Sequence, residues 1–246
     1  MDNLNKIKLE FERIKNLGFV KSNRVKKNDG GIGNTFEDYL GVEENNLKDP
    51  DFIGFEIKTQ RQLTSSYITM FSKSPSYPKG ANGILKEKFG EARDPDFPDL
   101  KKLYASIFGN KWSEVYGKYK MKLEIDRKNE KVILNVNDNG LIYRDVYWDF
   151  NDLEKGLQKL NKLFVVSAEE KVEDGVQYFH YNDGVAYLNI DFDKFLFLLE
   201  DGLIQFDIRI GVYKSGKNYG KPHDHGSGFR IKKESIFSLY KSKVEM

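Results

Sequence analysis

Apolar residues recur along this chain with two different periods. Leu4, Ile7, Phe11 and Ile14 stand three and four apart, as on one face of a helix, and Gly18 ends the run, so residues 2–17 are predicted as a helix. Thr35 followed by Asp38 resembles a capping box and predicts a short helix over TFEDYLG. Phe55 and Ile57 then alternate with Glu56 and Lys58, the period of a strand. Residues 63–72 predict a second apolar strand. Residues 74–117 hold four of the six prolines and many charges, and predict loops with short helices.

From residue 118 the pattern changes. KYKMKLEID, KVILNVND and LIYRDVYWDF alternate and are separated by turn residues such as Asn139-Gly140, which predicts an antiparallel meander. Leu153, Leu157 and Leu160 predict a helix, and KLFVVSAE a strand. Phe192, Phe195, Leu196 and Leu199 share a helix face, with Asp191 as N-cap and Gly202 past the end. In LIQFDIRIGVY, Ile204, Phe206, Ile208, Ile210 and Val212 share one strand face, and Asp207, Arg209, Gly211 and Tyr213 share the other. A short helix near 234–242 is predicted to close the chain. No internal repeat or low-complexity tract interrupts it. The expected class is α/β with a mixed sheet.

Composition narrows the function. A chain of 246 residues can bury a full core. No apolar run approaches the roughly 18 residues of a membrane helix, and the charged, amphipathic N-terminus carries no secretory signal, so no membrane contact and a cytoplasmic location are expected. The absence of cysteine excludes disulfides, thiolate metal sites and cysteine nucleophiles. The 40 basic and 38 acidic residues nearly cancel, so the global charge points to no partner. Local charge is uneven. KSNRVKKNDGGIGN is basic, and YKSGKNYGKPHDHG carries three lysines and two histidines against one acid.

The stretch DPDFIGFEIKTQ places Asp51, Glu56 and Lys58 within eight positions of an otherwise apolar strand. Glu56 and Lys58 leave the same face, and Asp51 approaches from the preceding turn. Two such carboxylates suit a hard divalent cation such as Mg²⁺, and a lysine beside them can orient or deprotonate a water. The bland reading is a solvated pair on an exposed strand. Buried, unpaired charge is costly, however, and the flanking Phe52, Ile53, Phe55 and Ile57 imply burial. Glu37, in the expected first helical turn, could merely complement the helix dipole.

GIGNTFEDYLG, PDFIGFEIKTQ and FSKSP, in that order, resemble the PD-(D/E)xK nucleases, specifically the MvaI/BcnI restriction endonucleases and their relative MutH, and most of all the MvaI members. The resemblance implies that Asp51, Glu56 and Lys58 are the catalytic set, with Asp51 and Glu56 holding Mg²⁺. It implies that Glu37 assists near the metal or its water. Lys73 would lie near the scissile phosphate.

A second segment, FDIRIGVYKSGKNYGKPHDHGSGFRI (206–231), is similar to the recognition segment of the MvaI members. Its residues agree with that on chemical grounds. Arginine can bond guanine O6 and N7 together, and aspartate can accept from cytosine N4. Asp207, Arg209, His223, His225 and Arg230 are therefore the candidate base readers. Lys214, Lys217 and Lys221, among Ser215, Gly216 and Gly220, are candidate phosphate contacts. The alternatives are a metal on the His-x-His stretch, a structural ion pair between Asp207 and Arg209, and an ordinary solvated lysine hairpin.

The resemblance implies a PD-(D/E)xK restriction-endonuclease-like core, with a mixed sheet flanked by helices and two lobes around a DNA cleft. The expected catalytic lobe covers about 1–115, and the recognition lobe includes 190–232. The implied activity is that of a Mg²⁺-dependent type II restriction endonuclease. It would cut double-stranded DNA at a short CC-x-GG-type site, as a monomer taking one strand at a time. A cognate DNA methyltransferase is expected in the same cell. A MutH-like nickase needing activation, a DNA-binding protein that does not cut, and an RNA or structure-specific nuclease are the other readings.

Overall fold

The computed structural model describes residues 2–24, 30–42, 51–61 and 67–246. In chain order the elements are α1 (Asn3–Lys15), β1 (Val20–Lys21), α2 (Gly31–Leu40), β2 (Glu56–Arg61), β3 (Tyr67–Ser72), α3 (Ala81–Phe89), β4 (Leu103–Phe108) and β5 (Ser113–Val115). Next come β6 (Tyr119–Asp126), β7 (Lys131–Asp138), β8 (Leu141–Asp149), α4 (Phe150–Gln158), β9 (Lys162–Glu173), β10 (Val176–Ile190) and α5 (Phe192–Glu200). The chain ends with β11 (Ile204–Val212), β12 (Pro222–Asp224), β13 (Gly228–Lys232), a 3-10 helix (Lys233–Leu239) and β14 (Tyr240–Glu245). Two compact units result. One is Met1–Ser66, Gln158–Asp191 and Ile236–Met246; the other is Tyr67–Leu157 and Phe192–Ser235.

The first unit is built on the sheet order β1-β10-β9-β2, with β14 also paired to β10. β2 runs parallel to β9 and the other pairs are antiparallel, so the sheet is mixed, as expected. One face is covered by helices. Ile7, Phe11 and Ile14 of α1 and Ile32, Phe36 and Leu40 of α2 pack with Phe55, Ile57, Phe164, Val166, Phe179 and Tyr181. Asp2 caps α1 by accepting from the Asn5 amide at 2.8 Å.

α2 departs from its expected start. It begins at Gly31, so Thr35 is not its cap but a buried interior residue, accepting from the Asn23 amide and donating to Asn23 Oδ1. The apolar spacing Ile32, Phe36, Leu40 carries the helix back through the glycines that precede Thr35. Gly33 sits close to the sheet, where a Cβ would stand 3.1 Å from Thr59 Oγ1.

In the second unit β11 pairs with β13 and β12 along one edge and with β4 along the other, and β13 continues to β3. The expected meander is present as β5-β6-β7-β8. Trp148 is fully buried, 4.5 Å from the Phe206 ring, and its indole N–H donates to the Lys73 carbonyl at 3.1 Å. β4 lies within the stretch expected to hold only loops and short helices. The short helix expected near 234–242 is present as the 3-10 helix Lys233–Leu239, and β14 follows it because Tyr240–Glu245 pairs with β10. The 63–72 strand begins at Tyr67 among the described residues. No described helix is long and apolar enough to cross a membrane.

Candidate functional site

In the first unit the parity of β2 separates its residues by chemistry. Ile57 faces the helix-covered core, while Glu56 and Lys58 leave the other face. A two-residue turn precedes the strand. Phe52 and Phe55 exchange both backbone hydrogen bonds around Ile53 and Gly54, which have φ of 41° and 82°. Asn3 holds this turn by donating to the Ile53 carbonyl at 2.7 Å. The turn folds Asp51 back on the strand, where its Oδ2 accepts from the Ile57 amide at 2.9 Å. Asp51 is thus delivered beside Glu56, as the spacing requires.

Glu56 is the buried member, with a side chain only 5% exposed. Lys58 Nζ lies 2.5 Å from its Oε1. A second lysine, which no motif announces, completes the cluster. Lys159, in the turn between α4 and β9, places its ammonium 2.9 Å from Glu56 Oε2 and 3.7 Å from Asp51 Oδ1. Burial disfavours the Lys159 charge, but the two carboxylates outweigh that and hold its pKa above the usual lysine value. Although the ammonium is close, Glu56 Oε2 is buried without an aligned hydrogen bond.

Asp51 and Glu56 offer oxygen donors only. A buried carboxylate oxygen without a hydrogen bond fits a hard divalent cation that keeps water or substrate oxygens in its remaining positions. Among the described residues no group of three or more His, Asp or Glu converges on a metal position, so these two would be its protein ligands. Glu37 lies in the second half of α2, not in its first turn. There a carboxylate does not complement the helix dipole, so the dipole reading does not apply to it.

In the second unit the polar face of β11 carries Asp207 and Arg209, and the face is wider than the sequence suggested. β4 sets Ser106 opposite Asp207 and Tyr104 opposite Arg209. Asp207 Oδ1 accepts from Ser106 Oγ and from Gln205 Nε2, each at 2.7 Å. Its other oxygen lies 3.0 Å from Arg230 Nε, so the ion pair on this face joins Asp207 to Arg230, not to Arg209. That contact is electrostatic, not directional, because Arg230 Nε has no aligned hydrogen bond. The Arg209 backbone is pinned between Ser227 Oγ and the His225 amide, while its guanidinium has no hydrogen-bond or ion-pair partner among the described residues.

His223 stacks on Tyr213 with ring centroids 3.8 Å apart, and His225 meets His223 edge-on at 4.3 Å. Burial lowers the His225 pKa, helped by the charges of His223 and Arg209. Gly211 is what admits this cluster. A Cβ there would stand 2.2 Å from the Tyr104 hydroxyl and 3.0 Å from His225 Nε2. Asp224, between the histidines, is used up in the turn, accepting from the amides of Gly226 and Ser227 and from Asn82. The His-x-His stretch therefore has no third ligand among the described residues.

The four candidate phosphate lysines differ. Lys217 and Lys221 are exposed on the β11–β12 hairpin. Lys214 is tied to Asp94 Oδ1 at 2.5 Å and Asp96 Oδ2 at 2.8 Å. Lys102 and Lys214 together hold the Asp94 carboxyl well below the usual carboxylate range. Lys73 lies 3.3 Å from Asp152.

The model of the MvaI/BcnI restriction endonuclease family matches residues 8–240, nearly the whole chain. The chain belongs to this family. Two solved structures of restriction endonuclease MvaI are similar to it, each 36% identical. The complex with cognate DNA substrate has a TM-score of 0.90 and covers 100% of this chain and 99% of that one. The structure in the absence of DNA has a TM-score of 0.63 and covers 100% and 98%. No curated protein matches the chain. As a member of the MvaI/BcnI family the protein is a type II restriction endonuclease, a site-specific deoxyribonuclease, in a family that generally uses a divalent metal.

Proposed function

We propose that this MvaI/BcnI-family enzyme hydrolyses phosphodiester bonds of double-stranded DNA with Mg²⁺, at a short CC-x-GG-type site. The observation that carries the chemistry is the convergence of Asp51, Glu56 and Lys58 at the head of β2. Asp51 and Glu56 would hold the cation. When bound, it would polarise the phosphate and make its water more acidic. Lys58 would orient the attacking water, and Glu37 would assist from α2. Cleavage would leave a 5′-phosphate and a 3′-hydroxyl.

The polar face of β11 supports sequence reading. Arg209, with its guanidinium unpaired among the described residues, would contact guanine in the major groove. Arg230, Asp207, His223 and His225 would complete the readout. The neutral form of His225, favoured by its surroundings, offers one donor and one acceptor. Lys217 and Lys221 would contact phosphates, with Lys73 and Lys214 in the same class. With one catalytic set per chain, the enzyme would act as a monomer and cut one strand at a time. A cognate methyltransferase would protect the host site.

Digestion of a plasmid of known sequence, with Mg²⁺ and with EDTA, tests the reading. Discrete metal-dependent double-strand cuts at one G·C-flanked motif are expected, preceded by nicked circles. Nicked circles as the end product would favour a MutH-like nickase, and specific binding without any cut would remove the catalytic assignment.

A further inference from the structure

Lys159 lies far along the chain from Asp51 and Glu56, yet it touches both. The reason is the sheet. β9 is the parallel partner of β2, with Leu163 opposite Glu56, so the turn that leads into β9 lies beside the head of β2. From that turn Lys159 reaches one oxygen of each carboxylate, at 2.9 and 3.7 Å. Lys58 differs, because among the described residues its one partner is Glu56, through the other oxygen. Two carboxylates and two ammonium groups leave the cluster neutral, which a side chain as buried as that of Glu56 requires.

A divalent cation held by Asp51 and Glu56 must lie close to an oxygen of each. That is where the Lys159 ammonium stands, and the two cannot share the place. The Lys159 side chain is 31% exposed, so its flexible stem has solvent to swing into.

We propose that Lys159 is a built-in counter-ion, a positioning residue that fills the cation's place between Asp51 and Glu56 in the metal-free protein and gives way when the cation binds. The proposal rests on the reading of Asp51 and Glu56 as metal ligands. It makes metal binding an exchange of one cation for another, so that the buried carboxylates never stand uncompensated. A surface ion pair with no such role would leave metal affinity unchanged.

The test is calcium binding to the full-length protein by isothermal titration calorimetry, with melting temperatures in EDTA and in excess Ca²⁺. Lys159→Met should bind Ca²⁺ about tenfold more tightly, because no resident charge has to be displaced. It should melt below wild type in EDTA and gain more than wild type from Ca²⁺. Equal or weaker calcium binding by Lys159→Met would overturn the proposal while leaving the metal ligands in place. Should that variant fail to fold, Lys159→Arg serves instead. Its forked guanidinium should grip the carboxylates harder and weaken calcium binding, and unchanged affinity would overturn the proposal. A wild-type protein that binds Ca²⁺ no better than Asp51→Asn would remove the metal-ligand reading itself, and this inference with it.

Discussion

Lys58 and Lys159 share one carboxylate, and that decides what the loss of Lys58 does. In Lys58→Met, Lys159 still faces Glu56, so the buried charge keeps a partner and the fold survives. Cleavage should fall about 10²–10⁴-fold, the usual weight of a group that manages a proton at the reacting water. Single-turnover cleavage, with gel shift in Ca²⁺ showing unchanged specific binding, checks it. The two arginines of the reading face should separate in a different way. Arg209→Ala removes a guanidinium that supports nothing else among the described residues. It should cost about 1–3 kcal/mol of discrimination at one G·C pair and shift stability by no more than about 0.5 kcal/mol. Arg230→Ala also strips Asp207 of its ion-pair partner, and should cost about 2 kcal/mol of folding stability as well. Denaturant melts beside binding to single-substitution sites distinguish the two. At this scale the acid–lysine strand was legible because strand parity is local. Lys159 and the Asp207–Arg230 pair were not, since both depend on which strands lie side by side, and no spacing within one segment encodes that.

The element that makes the candidate active site is the turn before β2. Asp51 reaches the strand only because Phe52 and Phe55 close a tight turn with positive φ at Ile53 and Gly54. A β-branched residue at φ 41° is held there against its preference, and Gly54 bears the more extreme angle, 82°. Space is not the constraint at Gly54, since among the described residues the atom nearest an added Cβ is Asn3 Nδ2 at 3.6 Å, an ordinary contact. Gly54→Ala should therefore cost about 1–2 kcal/mol through backbone strain alone. Because relief of that strain moves Asp51, cleavage should fall further than the melting temperature suggests, while DNA binding persists. Parallel thermal melts and cleavage rates measure both. Long periodic elements such as α1, α5 and β11 could be read from the chain directly. β4 could not, although Leu103, Ala105 and Ile107 alternate with Tyr104 and Ser106, because the prolines before it argued for loops. The start of α2 was not legible because Thr35 and Asp38 resemble a capping box, whereas the residue that extends the helix, Ile32, finds its partners only on the distant sheet strands.

Across the whole chain, each unit is assembled from separated segments. The path leaves the first unit at Tyr67, returns at Gln158, leaves again at Phe192 and comes back at Ile236. A boundary near residue 115 is what linear reading suggests, but β3 and β4 belong with β13 and β11 through backbone pairing. This assembly also decides which lysines remain available to a polyanion. Lys214 belongs to the basic hairpin in sequence, yet its ammonium is held by Asp94 and Asp96, on the segment between α3 and β4. Those carboxylates raise its pKa and offset its charge. Lys217 and Lys221 have no such partner among the described residues. A lysine already neutralised by acids releases few condensed counter-ions when DNA binds, whereas a free lysine on phosphate releases about one. Lys217→Ala should thus lower the slope of log affinity against log salt by about 1, with sequence preference unchanged. Lys214→Ala should leave that slope nearly as it is and instead lower the melting temperature, by freeing the buried Asp94 from one of its two lysines. Filter binding at several salt concentrations, on cognate and unrelated duplexes, measures both slopes. A slope loss for Lys214→Ala equal to that for Lys217→Ala would mean that DNA takes Lys214 away from Asp94 and Asp96, and that the hairpin is remade on binding.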